Sequence, residues 1–307
     1  MITAAASWLK RRMTPRPRRS ALFVPAANPR AMDKARALPC DLVVLDLEDA
    51  VAPAAKAEAR VRAAEAVRAG AYGGRELIVR CNGLDTPWGA EDLEALAEAG
   101  PDGVLAPKVG GPADLADYEA ALASAPDRTR LWAMIETPAA VFALEPIAAQ
   151  AAQAARRLEG LCLGLNDLGE AMGARATPDR APFQAIMTLT VLAARAHGLA
   201  VLDAVFNGLD DPEGLAAACR QGAEFGFDGK CLIHPGQIEA CHHAFGPSAE
   251  DVTAARAVVA AFATQGEAAG GAIRVDGRMV EALNLRRAEA TLALAEAIAA
   301  PDCADGR

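Results

Sequence analysis

From Ser20 onward, short apolar runs alternate with Ala-rich stretches. The runs are SALFVPA from Ser20, DLVVLDLED from Asp41, ELIVRCN from Glu76, GVLAPKV from Gly103, RLWAMIET from Arg130, GLCLGLN from Gly160, AVLDAVF from Ala200 and FDGKCLIH from Phe227. Each is Leu-rich or β-branched and largely lacks the polar alternation of a half-exposed strand. The pattern therefore predicts eight strands covered on both faces, as in a parallel sheet. Between them, segments such as NPRAMDKARAL, AAKAEARVRAAEAVRAG and PDRAPFQAIMTLTVLAARAHG carry apolar residues at helical spacing among strong helix formers. Eight strand–helix units within about 215 residues predict an α/β fold of the (β/α)8 TIM barrel type. A doubly wound open sheet is the alternative, but the first strand is followed by PAANPR where a dinucleotide fold carries GxGxxG.

Beyond the last strand, PSAEDVTAARAVVAAFATQGEAAGG predicts a helix ending in glycines, and IRVDGRMVEALNLRRAEATLALAEAIAA a short ordered stretch and a final helix. Gly266, Gly270 and Gly271 form the expected hinge. The chain thus divides into a disordered N-terminal tail (1–18), the barrel (19–246) and a C-terminal helical extension or lid (247–307). Residues 1–19 hold six Lys/Arg and no acid. Such a segment reads either as an organelle transit peptide or, the preferred reading, as a disordered tail ahead of an alternative start at Met13.

Composition narrows the function. A net charge of −9 argues against nucleic-acid binding, which needs a basic surface to release counterions. Seven cysteines without a CxxC pair, three of them (Cys81, Cys162 and Cys231) inside predicted strands, point to reduced thiols and a cytoplasmic setting. No apolar run approaches the roughly 20 residues that span a bilayer, so no membrane partner is expected.

In a barrel the strand C-termini form the active face, and here they end in polar residues. Strand two closes with Asp46, Glu48 and Asp49, strand three with Arg80 and Asn82, strand four with Lys108, strand five with Glu136, strand six with Asn166 and Asp167, strand seven with Asn207, Asp210 and Asp211, and strand eight with His234. Glu136 and Asp167 follow adjacent strands, about 5 Å apart, and make a half-site for Mg²⁺, which takes one or two carboxylates and fills its other positions with water or substrate. Asp167 can equally cap the following helix. Arg80 carries a donor fork suited to a substrate carboxylate, or else a salt bridge to the Asp46, Glu48 and Asp49 cluster. Lys108 either faces substrate or balances those acids. Of the four histidines only His234 is expected near the site; His242 and His243 fall on a presumed surface helix and His197 near a helix end, which makes a zinc site improbable.

Taken together, RSALFVPAANPRAMDKA, DLVVLDLEDAVAPAAKAEAR, VRCNGLDTPWGAEDL, PKVGG, AMIETPAAV, LGLNDLGEAMG and GFDGKCLIHPGQIEACHHAFGPS resemble the HpcH/HpaI aldolase/citrate lyase superfamily. The match runs in order over nearly all of residues 19–290. DLEDAV and RCNGLDTPW favour its CoA-thioester branch of citrate lyase β-subunits, malyl-CoA lyases and citramalyl-CoA lyases.

The resemblance implies a Mg²⁺-dependent carbon–carbon lyase (Mn²⁺ being the alternative ion) that splits or forms a 3-hydroxyacyl-CoA from a 2-oxo acid and a shorter acyl-CoA. It implies Glu136 and Asp167 as metal ligands, Arg80 as the oxo-acid clamp, and Glu48 and Asp49 as acids near the metal-bound waters. Phe23, Val24, Lys34 and Asn166 fall at substrate or CoA contacts, with Trp88, Met134 and Val205 at the acyl wall. An acid–base aspartate, supplied in the family by the adjacent subunit's lid, is replaced here by Glu281, one methylene longer. Asn28 stands where malyl-CoA lyases commonly carry arginine, with Arg30 nearby. The resemblance also implies a homo-oligomer, trimer or hexamer. The lid past the barrel favours a free-standing enzyme over a citrate lyase complex subunit. Three alternatives stay open: a citryl thioester lyase, a malyl-CoA-type thioesterase and a catalytically silent binding subunit.

Overall fold

The computed structural model describes residues 16–152, 157–265, 272–275 and 278–300. The hinge glycines and residues 1–15 of the expected tail lie outside the described residues. Eight strands coincide with the eight predicted runs: β1 (Ser20–Pro25), β2 (Leu42–Asp46), β3 (Glu76–Arg80), β4 (Gly103–Ala106), β5 (Arg130–Ile135), β6 (Leu158–Leu163), β7 (Ala200–Asp203) and β8 (Gly229–Leu232). They pair in sequence order, all parallel, and β1 closes on β8. The fold is a (β/α)8 barrel with further C-terminal helices.

Local chemistry starts and stops the outer helices. Asn28 caps Pro29–Ala35 and Asp211 caps Pro212–Phe225, each accepting a backbone N–H ahead of a proline, whose missing donor is harmless in the first turn. Helix Gln184–His197 ends at Gly198, whose φ of +71° is a left-handed conformation that glycine adopts without a steric penalty.

Inside the barrel, Ala21, Leu42, Val44, Ile78, Leu105, Trp132, Met134, Cys162, Leu202 and Cys231 form one buried cluster. Trp132 is its largest member, and small neighbours make room for it. A Cβ on Gly160 would stand 2.3 Å from the Trp132 ring and one on Gly103 3.1 Å away. Below the ring, the Arg18 guanidinium lies 4.9 Å from its centroid and pairs with Glu76 at 2.8 Å and Glu159 at 3.2 Å. Both acids sit where their strands begin, so this cation closes the barrel floor. Arg18 therefore belongs to the barrel and not to the tail.

Among the described residues the barrel unit runs from Arg18 to Ala244, and residues Phe245 to Ala300 belong to a second compact unit. In that unit helix Ala249–Gln265 packs against helix Ala282–Ala299. The short stretch between them is an antiparallel hairpin of β9 (Ala272–Val275) and β10 (Arg278–Glu281). Among the described residues no helix is long and apolar enough to cross a membrane.

Gly160→Ala is expected to destabilise the barrel by about 1–3 kcal/mol, because the new methyl overpacks the buried indole. Urea denaturation measures this, and an unchanged midpoint would show that the ring is not held against Gly160.

Candidate active site

β2 and β3 end together, with Asp46 in register with Arg80. Arg80 donates from Nε to Asp46 Oδ1 at 2.8 Å and from Nη2 to Oδ2 at 2.7 Å, the bidentate geometry that orients a guanidinium most firmly. Its Nη1 lies 2.8 Å from Glu48 Oε2, out of line for a hydrogen bond, and 3.6 Å from Asp49. The Phe23 ring packs 5.3 Å from the guanidinium. The expected salt bridge to the three acids thus forms, and Arg80 still lines the cavity above them. Burial pushes the Glu48 carboxyl up to about 7; Arg80 opposes that shift, and the like charges of Asp49 and Glu136 add to it.

A second layer holds this corner. Buried Lys56 donates to the carbonyls of Leu47 and Glu48 at 2.9 and 3.0 Å and to Asn82 Oδ1 at 2.6 Å, with its ammonium 5.0 Å from the Trp88 ring centroid. Asn82 donates in turn to fully buried Asp92, which also accepts from Arg60. The loop carrying Glu48 and Asp49 is therefore fixed through its own carbonyls. Lys56 and Asp92 were not among the candidate residues, because both sit in runs of helix formers that read as ordinary outer helix.

Opposite this corner stands Glu136, immediately after β5. Oε1 accepts the Lys108 backbone N–H at 2.8 Å. Oε2 is buried, with no hydrogen-bond partner among the described residues. Gly164 lets the next loop close over it, since a Cβ there would lie 2.6 Å from Glu136 Cβ. Burial raises the Glu136 carboxyl, opposed by Lys108 and reinforced by Asp167. Lys108 has a left-handed backbone, φ +51°; its ammonium pairs with Asp167 and lies 3.7 Å from Glu136.

Asp167 is not at a strand end. β6 stops at Leu163 and Asp167 lies in the first turn of helix Leu165–Met172, which has no side-chain cap. The helix dipole favours an acid at that position, and the side chain pairs with Lys108 instead of capping.

The carboxylates border a cavity of about 360 Å³, lined by barrel residues, a volume within the range of small-molecule sites. Phe23, Val24, Met134, Val205, Asp49 and Asn166 line it, and Asn166 accepts from Asn207 at 2.8 Å. Other candidate residues do not line the cavity. Lys34 is exposed on helix Pro29–Ala35 and does not line the cavity; Trp88 covers Lys56 instead of the acyl wall. His234 caps a 3-10 turn, and His242 is half-buried, hydrogen-bonded to Ser20 at 2.8 Å, where a surface position was expected. Glu281 belongs to the second unit, exposed at the end of β10.

Among the described residues no group of three or more His, Cys, Asp or Glu is arranged to hold a metal. The Glu136 and Asp167 pair, with the unpartnered Oε2 of Glu136, has instead the composition of a Mg²⁺ half-site: hard oxygen donors, few in number, beside open volume.

The sequence profile of the HpcH/HpaI aldolase/citrate lyase family matches residues 19–235. The chain belongs to this family. The (3S)-malyl-CoA thioesterase of Cereibacter sphaeroides is 46% identical over 284 residues, which cover 92% of this chain and 96% of that protein. The L-malyl-CoA/beta-methylmalyl-CoA lyase of the same species is 34% identical over 311 residues, covering 93% and 96%. Among solved structures, the protein CitE from Mycobacterium tuberculosis in complex with magnesium, acetoacetate and coenzyme A is 33% identical, with a TM-score of 0.73 over 90% of this chain and 97% of that one. Family membership therefore includes relatives named for two different reactions.

Glu48 makes stability pH-dependent. With its carboxyl raised from 4.5 to about 7, the native state holds more protons than the unfolded chain across that interval, so stability falls as pH rises through it. Glu48→Gln removes this loss. In chelator, its melting temperature relative to the native protein is expected to climb between pH 4.5 and 7; a gap that shrinks with pH would contradict the assignment.

Proposed function

We propose that this protein hydrolyses a malyl-CoA-type 3-hydroxyacyl-CoA thioester to the free hydroxy acid and CoA, with Glu136 and Asp167 as ligands of Mg²⁺ or Mn²⁺. The observation that carries the reading is the 46% identity with a (3S)-malyl-CoA thioesterase over 92% of the chain, against 34% with a malyl-CoA lyase over a similar span. A divalent ion at this pair supplies Lewis-acid stabilisation of charge developing on substrate oxygen.

The remaining groups supply position and protons. Arg80, locked on Asp46, presents fixed positive charge to a substrate carboxylate. Glu48, titrating near neutral pH, is suited to take a proton from water and return it to the leaving thiol. Phe23, Val24, Met134 and Val205 form the apolar side of the pocket, and Asn166 its polar rim, while Asp49 stands at the entrance. On the resemblance, Glu281 adds a second acid–base carboxylate at the mouth of a neighbouring copy, which makes a homo-oligomer the working unit. Hydrolysis adds water across the thioester carbonyl and releases CoA thiol, so no carbon–carbon bond breaks.

Carbon–carbon cleavage is the second reading, favoured by the lyase relative at 34% identity. The two differ in products. Purified protein given (3S)-malyl-CoA and Mg²⁺ is expected to release free thiol without a 2-oxo acid; 2-oxo acid without thiol would replace hydrolysis with the lyase reaction. Glu136→Ala is expected to lower turnover by about 10²-fold or more while keeping its melting transition. Full activity in that variant would remove Glu136 from the chemistry.

A further inference from the structure

Lys108 touches both members of the carboxylate pair. Its backbone N–H holds Glu136 Oε1 at 2.8 Å, and its ammonium reaches across to Asp167 while staying 3.7 Å from the same Glu136 oxygen. The two contacts are separable. The first depends on the left-handed turn at φ +51°; the second depends only on a flexible four-carbon stem that is partly open to solvent. When the ammonium swings away, Glu136 stays in place.

A single positive charge lies where the donor set suits a divalent one. We propose that Lys108 is the built-in counter-ion of the Glu136 and Asp167 pair and competes with the divalent cation for it, so that this lysine sets the affinity of the metal site. The proposal rests on the metal reading above. Lys108 leaves as the ammonium ion that pairs with Asp167. While Lys108 holds the pair, apparent metal affinity falls in proportion to the fraction of molecules with the site open. The arrangement offsets part of the pair's charge in the metal-free protein, where two unpaired carboxylates would repel each other.

The test titrates Mg²⁺ alone, by calorimetry and by thermal shift, into the full-length protein and the variants Lys108→Met, Lys108→Arg and Glu136→Ala. Lys108→Met is expected to bind Mg²⁺ about tenfold more tightly, the factor for a site closed in nine molecules of ten. Lys108→Arg, which keeps the cation, is expected to bind close to the native value. A native protein that gains no Mg²⁺-dependent stabilisation, or gains the same in Glu136→Ala, overturns the metal reading and the proposal with it. Native binding that is lost in Glu136→Ala but is not tightened in Lys108→Met overturns the proposal alone. A measurement on the native chain covers a Lys108→Met that fails to fold. With lysines reductively methylated with ¹³C, the resonance missing from Lys108→Arg is expected to shift when Mg²⁺ is added, and a stationary resonance would refute the exchange.

Discussion

The barrel mouth carries more negative charge than its own side chains neutralise. Asp46, Glu48, Asp49, Glu136 and Asp167 gather there against Arg80 and Lys108. Buried carboxylates without enough cations must take up protons or acquire a partner. Both responses are visible. Burial and like charge raise Glu48 and Glu136, while Arg80 and Lys108 each serve more than one acid. A divalent cation would reduce the deficit, and the same deficit makes the mouth receptive to one.

The rest of the barrel makes that deficit tolerable by holding it rigidly. The Asp46 and Arg80 register pair fixes the guanidinium plane. Lys56 and Asp92 immobilise the loop behind it. At the opposite end Trp132 and Arg18 seal the floor, so the barrel interior opens toward the strand C-termini, where loops can vary without disturbing the core. The family includes relatives named for thioester hydrolysis and for carbon–carbon cleavage.

Much of this was legible in the sequence, for a physical reason. Parallel barrel strands are buried on both faces, so they appear as unbroken apolar runs, and a polar residue closing such a run, like Arg80 or Glu136, stands out. Asp167 was legible as an acid but not in its setting, because LCLGLN stays apolar past Gly164, where the strand has already given way to a helix. Lys56 was hidden because its partners are backbone carbonyls, which leave no mark in side-chain pattern. Arg18 was hidden among the basic residues of the tail, and its acids lie 58 and 141 residues away. Lys108 was legible as a cation, but its backbone hold on Glu136 depends on a left-handed turn that composition does not announce.

Diffraction from crystals grown with Mn²⁺, using its anomalous signal, tests the central claim most directly. An anomalous peak within coordinating distance of both Glu136 and Asp167, with the Lys108 ammonium drawn away from them, is the predicted result. A mouth without a peak at saturating Mn²⁺, or a peak elsewhere with the Lys108 pair intact, would contradict the view that this charge deficit exists to hold a metal.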